Sequence, residues 1–121
     1  MLIWHARNGM DKDPLHELAS RYYSLPFLDD IRNEYTFDVS CTGTMPVALS
    51  AFFESTDFED AIRNAVSIGG DSDTIAAITG SIAEAYYGTP NELWARACVY
   101  LSEELIDNVE SFYRFYAEVT Q

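Results

Sequence analysis

Apolar side chains recur at three- and four-residue intervals along most of this 121-residue chain. That is the spacing of amphipathic helices; no stretch sustains the alternation of a strand. In DPLHELASRYY, Leu15, Leu18, Ala19 and Tyr22 fall on one face, with Asp13 placed to cap and Pro14 at the first helical position. LPFLDDIRNEYTFDVSCTG is less regular and predicts a short helical turn followed by an extended loop. TMPVALSAFFES predicts a second helix with Pro46 near its start and Val47, Ala48, Ala51 and Phe52 at helical spacing. In STDFEDAIRNAVSIGG, Thr56 and Glu59 predict a capping box. Phe58, Ile62, Ala65 and Val66 predict the apolar face of that helix, and Gly69 its stop.

After the Gly-Gly break a helix is predicted from about Asp73 to Tyr87, ending at Gly88, with no charge between Asp73 and Glu84. Its Ala, Ile, Gly and Ser residues let neighbouring backbones approach, which marks it as the central, most buried helix. Thr89, Pro90 and Glu92 predict another capping box. Helix then continues through Tyr116 with a break near Leu101–Ser102. Leu105, Val109, Phe112, Tyr113 and Tyr116 form a regular stripe suited to a core or a subunit contact. At the start, LIWHARNG reads as a helix tail closing on Gly9. Either the chain begins within a larger helical unit, or an N-terminal arm packs Trp4 on the core. With no repeat and no linker, residues 1–121 are expected to form a single all-α domain, an orthogonal helical bundle.

Composition narrows the partners. Hydrophobic residues make up 48% and aromatics 14%, enough for a core, while the net charge is −13 with Lys12 the sole lysine. Such a balance excludes a phosphate-tracking nucleic-acid binder and an anionic membrane surface, and suits cations. No apolar run approaches the about 18–20 residues of a membrane span. The opening MLIWHARNG turns polar too quickly for a signal peptide. Cys41 and Cys98 share no metal or disulfide spacing, so reduced thiols in a cytoplasmic protein are expected. His5 and His16 are the only histidines and lie in no ligand spacing; Cys41 has no identifiable base, and the SCTGTMP loop reads equally as a cleft lining or a helix entry.

The most informative chemistry is in GGDSDT, residues 69–74. One aspartate at a helix start is an ordinary cap, stabilised by the helix dipole. A second carboxylate one residue away calls for a partner, and a hard divalent cation is the natural one. Thr74 could add a hydroxyl oxygen, and Gly69 and Gly70 allow a tight turn. An EF-hand is excluded, because its Gly and Glu positions hold Ala76 and Ile82. Spacing alone leaves metal binding and a doubled cap equally open.

SIGGDSDTIAAITGSIAEAYYG resembles the C-terminal signature of the ADP-ribosylglycohydrolase family, Gly-Gly-Asp-Ser/Thr-Asp-Thr opening a small-residue helix. The upstream YTFDVSCTGTMPVALSAFFESTDFEDAIRNAV and WHARNGMDKDPLHELASRYY are similar to the segments that precede it in bacterial members. This resemblance implies an all-α orthogonal bundle and hydrolysis of ribosyl linkages in ADP-ribosylated substrates with a pair of Mg²⁺ or Mn²⁺ ions. It implies Asp71, Asp73 and Thr74 as metal ligands. The family's other ligands lie in a Thr-Asp-Asp motif of its N-terminal half, which this sequence does not contain. The chain is therefore expected to match roughly the C-terminal half of a member and to work only with a complementing N-terminal half. The rival expectation is a non-catalytic helical remnant that binds or self-associates.

Overall fold

The structure, a computed structural model, describes residues 1–120. They are all-α, eight helices and connecting loops with no strand among the described residues. The chain divides into two compact units, Met1–Gly88 and a second that starts at Thr89. No helix among the described residues is long and apolar enough to cross a membrane.

The first unit holds α1 (Leu2–Arg7), α2 (Lys12–Ser20), α3 (Leu28–Ile31), α4 (Cys41–Phe53), α5 (Phe58–Ile68) and α6 (Ser72–Tyr87). α6 packs against α1, α4 and α5, as its small residues suggest. The more deeply buried helix is α4, where Val47, Ala48, Leu49, Ser50, Ala51 and Phe52 are buried in succession. A helix apolar on every side belongs inside, whereas α6 leaves Asp73, Thr74, Ala77 and Ser81 at the surface. Thr79 is fully buried between the two, and its hydroxyl donates to the Ala48 carbonyl at 3.0 Å.

Several helix starts differ from the sequence expectation. Asp11, extended, takes the N-cap position of α2 with no side-chain cap bond, which places Asp13 and Pro14 within the first turn. Proline is tolerated there because the first N–H groups of a helix have no intrahelical partner. α4 starts at Cys41, ahead of the predicted TMP segment, since the Ser40 hydroxyl accepts the Gly43 N–H at 3.1 Å; Pro46 lies inside the helix. SCTGTMP accordingly forms the start of α4, with Ser40 at its cap. At α5 the box is shifted by one residue: Asp57 accepts the Asp60 N–H at 2.8 Å, and the Asp60 carboxylate accepts the Thr56 N–H at 2.9 Å. Glu59 instead receives Arg63. Ala61, Ala65 and Ile68 supply the buried face of α5, and Val66 points outward.

Two cations tie the unit together. Arg7 of α1 forms a two-pronged bond with Glu84 of α6, one arm at 2.9 Å, both side chains largely buried. The Lys12 ammonium donates to the carbonyls of Phe52 at 3.2 Å, Phe53 at 3.3 Å and Ser55, closing the C-terminal end of α4. It also lies 5.1 Å from the ring centroids of Phe52 and Tyr87, a cation–π arrangement. α1 buries Ala6 and closes on Gly9 at φ 83°; Trp4 is 64% exposed, so it does not pack on the core as an arm would require.

The second unit contains α7 (Asn91–Cys98) and α8 (Glu103–Val119), separated near the predicted Leu101–Ser102 break. Pro90 occupies the cap of α7 with no side-chain cap bond, so the Thr89–Glu92 box does not form. Ser102 caps α8, accepting the Leu105 N–H at 3.4 Å. Along α8 the rings of Phe112 and Tyr113 meet at 5.5 Å, yet Leu105, Phe112 and Tyr113 stay exposed, so the stripe is not a buried core.

Lys12→Met keeps the aliphatic stem but leaves the α4 carbonyls without their charged donor. It is expected to lower unfolding free energy by about 2 kcal/mol in urea denaturation. Unchanged stability would show that water replaces the ammonium at no cost.

Candidate functional site

The GGDSDT turn joins the end of α5 to the start of α6. Gly69 at φ 81° and Gly70 at φ 65° take the chain through two successive left-handed conformations that other residues rarely adopt. Gly70 is needed for a second reason. A β-carbon there would stand 2.6 Å from Cε1 of Tyr35, so the tyrosine ring lies directly on the glycine. Tyr35 reaches it from the end of the turn after α3, where its N–H bonds the Ile31 carbonyl at 2.8 Å.

Asp71 takes the cap position of α6 at φ −79°, ψ 65°, but its side chain makes no cap hydrogen bond. Asp73 accepts the N–H of its neighbour Thr74, at 3.0 Å. The doubled cap left open by the spacing is thus not the arrangement found. Asp71 is half-buried, while Asp73 and Thr74 are exposed. Asp73 is held below the usual carboxylate range, first by a hydrogen bond with the Asp71 carboxyl and then by the Thr74 N–H. Both aspartates lie at the positive end of a helix dipole, Asp71 at the cap and Asp73 in the first turn.

Two further residues belong to this neighbourhood, Tyr35 against the turn and Asp38 near Tyr35. Asp38 accepts the Ser40 N–H at 2.7 Å and lies over Gly43, where a β-carbon would collide with its Oδ2. Hydrogen bonds from Ser40 hold Asp38 below the ordinary range. The Tyr35 hydroxyl is buried with no hydrogen-bond partner. Burial pushes this phenol upward and the Asp38 and Asp71 charges add to the rise, with the Thr44 hydroxyl opposing them. Sequence reasoning placed both residues in a loop without assigning them a role. Neither falls in a periodic pattern, so no sequence signal could have placed them at this turn.

Other candidates lie elsewhere. His5 packs edge-on against Trp4 and His16 against Phe53, both at 4.9 Å between ring centroids. A cavity of about 210 Å³ is lined by His16, Phe27, Ser50, Phe53 and Glu54 among others, none from the GGDSDT turn. Cys41 is exposed in the first turn of α4.

Asp71, Asp73 and Thr74 offer hard oxygen donors of the kind Mg²⁺ or Mn²⁺ prefers. Among the described residues, however, no three or more His, Cys, Asp or Glu side chains gather into a metal-holding cluster. The donor set fits such a cation in kind and is incomplete in number, since octahedral coordination takes about six ligands.

The family model for ADP-ribosylglycohydrolase matches residues 5–118. The chain is 36% identical to an ADP-ribosylarginine hydrolase of Pseudomonas putida, an alignment covering 84% of this chain and 32% of that protein. It is 29% identical to a putative ADP-ribosyl glycohydrolase of Acanthamoeba polyphaga mimivirus, covering 78% and 36% respectively. An ADP-ribosylarginine hydrolase of Serratia proteamaculans is 41% identical over 52% of this chain and 16% of its own length. The chain thus spans between 16% and 36% of these relatives. No solved structure matches.

Two predictions follow from the turn's geometry. Gly70→Ala must displace the Tyr35 ring and is expected to cost about 1–3 kcal/mol, recovered in part by Tyr35→Ala in the same chain; a neutral Gly70→Ala in thermal denaturation would contradict the contact. Because the Asp73 pKa is lowered on folding, its stabilisation is present above the unfolded carboxylate value near 4 and disappears as pH falls through the folded value. Asp73→Asn should therefore flatten the acid limb of the stability profile below about pH 4, with the metal-free protein.

Proposed function

Because this chain belongs to the ADP-ribosylglycohydrolase family, we propose that it serves divalent-metal-dependent hydrolysis of the ribosyl linkage in ADP-ribosylated substrates. Asp71, Asp73 and Thr74 hold Mg²⁺ or Mn²⁺ in this reading, and a complementing N-terminal half supplies the remaining ligands. One observation carries it: two adjacent carboxyls stand at the start of α6, and neither completes a cap across the first turn.

Bound there, the metal would supply orientation of the ribose and activation of water. The chain's own contribution is positional and electrostatic. The Gly69–Gly70 turn aims both carboxylates from a helix whose other end is anchored by Arg7 and Glu84. Their negative charge complements the positive charge that develops at the anomeric carbon in an oxocarbenium-like transition state. Thr74, whose hydroxyl is exposed, is the lesser ligand. ADP-ribose or an ADP-ribosylated side chain is the substrate class, and a cytoplasmic setting suits the two free cysteines.

A second reading, a non-catalytic helical module that binds or self-associates, draws support from the lack of a three-residue metal cluster among the described residues. Thermal unfolding with and without Mn²⁺ separates the two. The hydrolase reading expects a metal-dependent rise in midpoint that Asp73→Asn weakens, and release of ADP-ribose on mixing with a family N-terminal half. No shift in the wild-type chain, together with no released ADP-ribose, sinks it in favour of the module.

A further inference from the structure

A buried polar group without a partner requires an explanation, and in this chain the Tyr35 hydroxyl is the one such side-chain atom among the described residues. Three polar side chains surround it: Thr44, Asp38 and Asp71. The Thr44 hydroxyl donates to the Asp38 carbonyl at 3.1 Å. The Asp38 carboxylate accepts the Ser40 N–H at 2.7 Å. Asp71 directly follows Gly70, on which the Tyr35 ring rests, and its side chain accepts no cap bond from α6.

The ring and the hydroxyl of Tyr35 therefore have separate uses. Its ring seats on Gly70, leaving no room for a β-carbon and pinning the turn immediately before Asp71. The hydroxyl is buried and has no hydrogen-bond partner among the described residues. A phenol is a good outer donor to a metal-ligating carboxylate, fixing which oxygen faces the ion.

We propose that Tyr35 is a positioning residue for the metal site: its ring sets the Gly69–Gly70 turn, and its hydroxyl donates to the Asp71 carboxylate when a cation is held. The inference rests on the metal reading above and extends it to a residue outside the GGDSDT motif. Tyr35 touches neither substrate nor reacting atoms in this role; it acts through Asp71.

Tyr35→Phe keeps the ring and removes only the hydroxyl, while Tyr35→Ala removes both. Two measurements on the whole chain divide the roles: the unfolding midpoint without metal, and Mn²⁺ affinity from the loss of free-ion electron paramagnetic resonance signal. Tyr35→Phe is expected to hold or raise the metal-free midpoint and to weaken Mn²⁺ about tenfold. Tyr35→Ala is expected to lower both. A Phe variant that binds Mn²⁺ as tightly as wild type overturns this inference and leaves the metal reading standing. So does a Phe variant whose metal-free midpoint falls, because the hydroxyl would then have a structural partner. A wild-type chain that takes up no Mn²⁺ into the millimolar range overturns both.

Discussion

The first unit depends on how closely α4, α5 and α6 can approach one another. Ala48 and Ala51 on α4, Ala61 and Ala65 on α5, and Thr79 and Ala83 on α6 are all buried to 4% exposure or less. At Gly80 a β-carbon would already be 3.1 Å from the Ile62 side chain. Small residues bring the backbones near enough for the Thr79 hydroxyl to reach the Ala48 carbonyl. Larger side chains at these places would push the helices apart, since packed interiors have little slack for added volume.

That close packing makes the helix ends the places where the chain must do something unusual. At one end of α4, carbonyls that have no intrahelical partner are taken by the only lysine in the sequence, stretched across from α2. Between α5 and α6 the turn is short, and two glycines with positive φ are the means of making it. Tyr35 fills the space left by the missing side chain of Gly70. Asp71 and Asp73 are thus displayed by a turn that packing holds from one side and that leaves Asp73 and Thr74 open to solvent on the other. A site of this kind gets its geometry from the helices behind it and its chemistry from two or three oxygen donors in front.

Much of this arrangement was legible in the sequence. Apolar spacing located the helices, because a 3.6-residue period survives in any amphipathic segment. The GGDSDT turn stood out because two glycines and two acids in six residues serve little purpose in an ordinary loop. Helix starts were read less accurately. Asp11, Ser40 and Asp57 are the residues at the caps of α2, α4 and α5, each next to or near another plausible capping residue. Which of several neighbouring Ser, Thr or Asp residues takes the cap depends on where the backbone turns extended, and that is decided by what the helix packs against.

By itself, then, the sequence determined the helical class, the order of the helices, the acidic character and the turn that carries the two aspartates. Each follows from local periodicity, composition or a short motif. Tertiary structure decided that α4, with its unbroken run of apolar residues, is more deeply buried than α6, and that Trp4 faces outward. It also decided that Tyr35 stands against a turn more than thirty residues away in the chain. Those facts are invisible to periodicity for one physical reason: they are set by which surfaces meet, and a contact between distant segments leaves no mark on the spacing of residues within either.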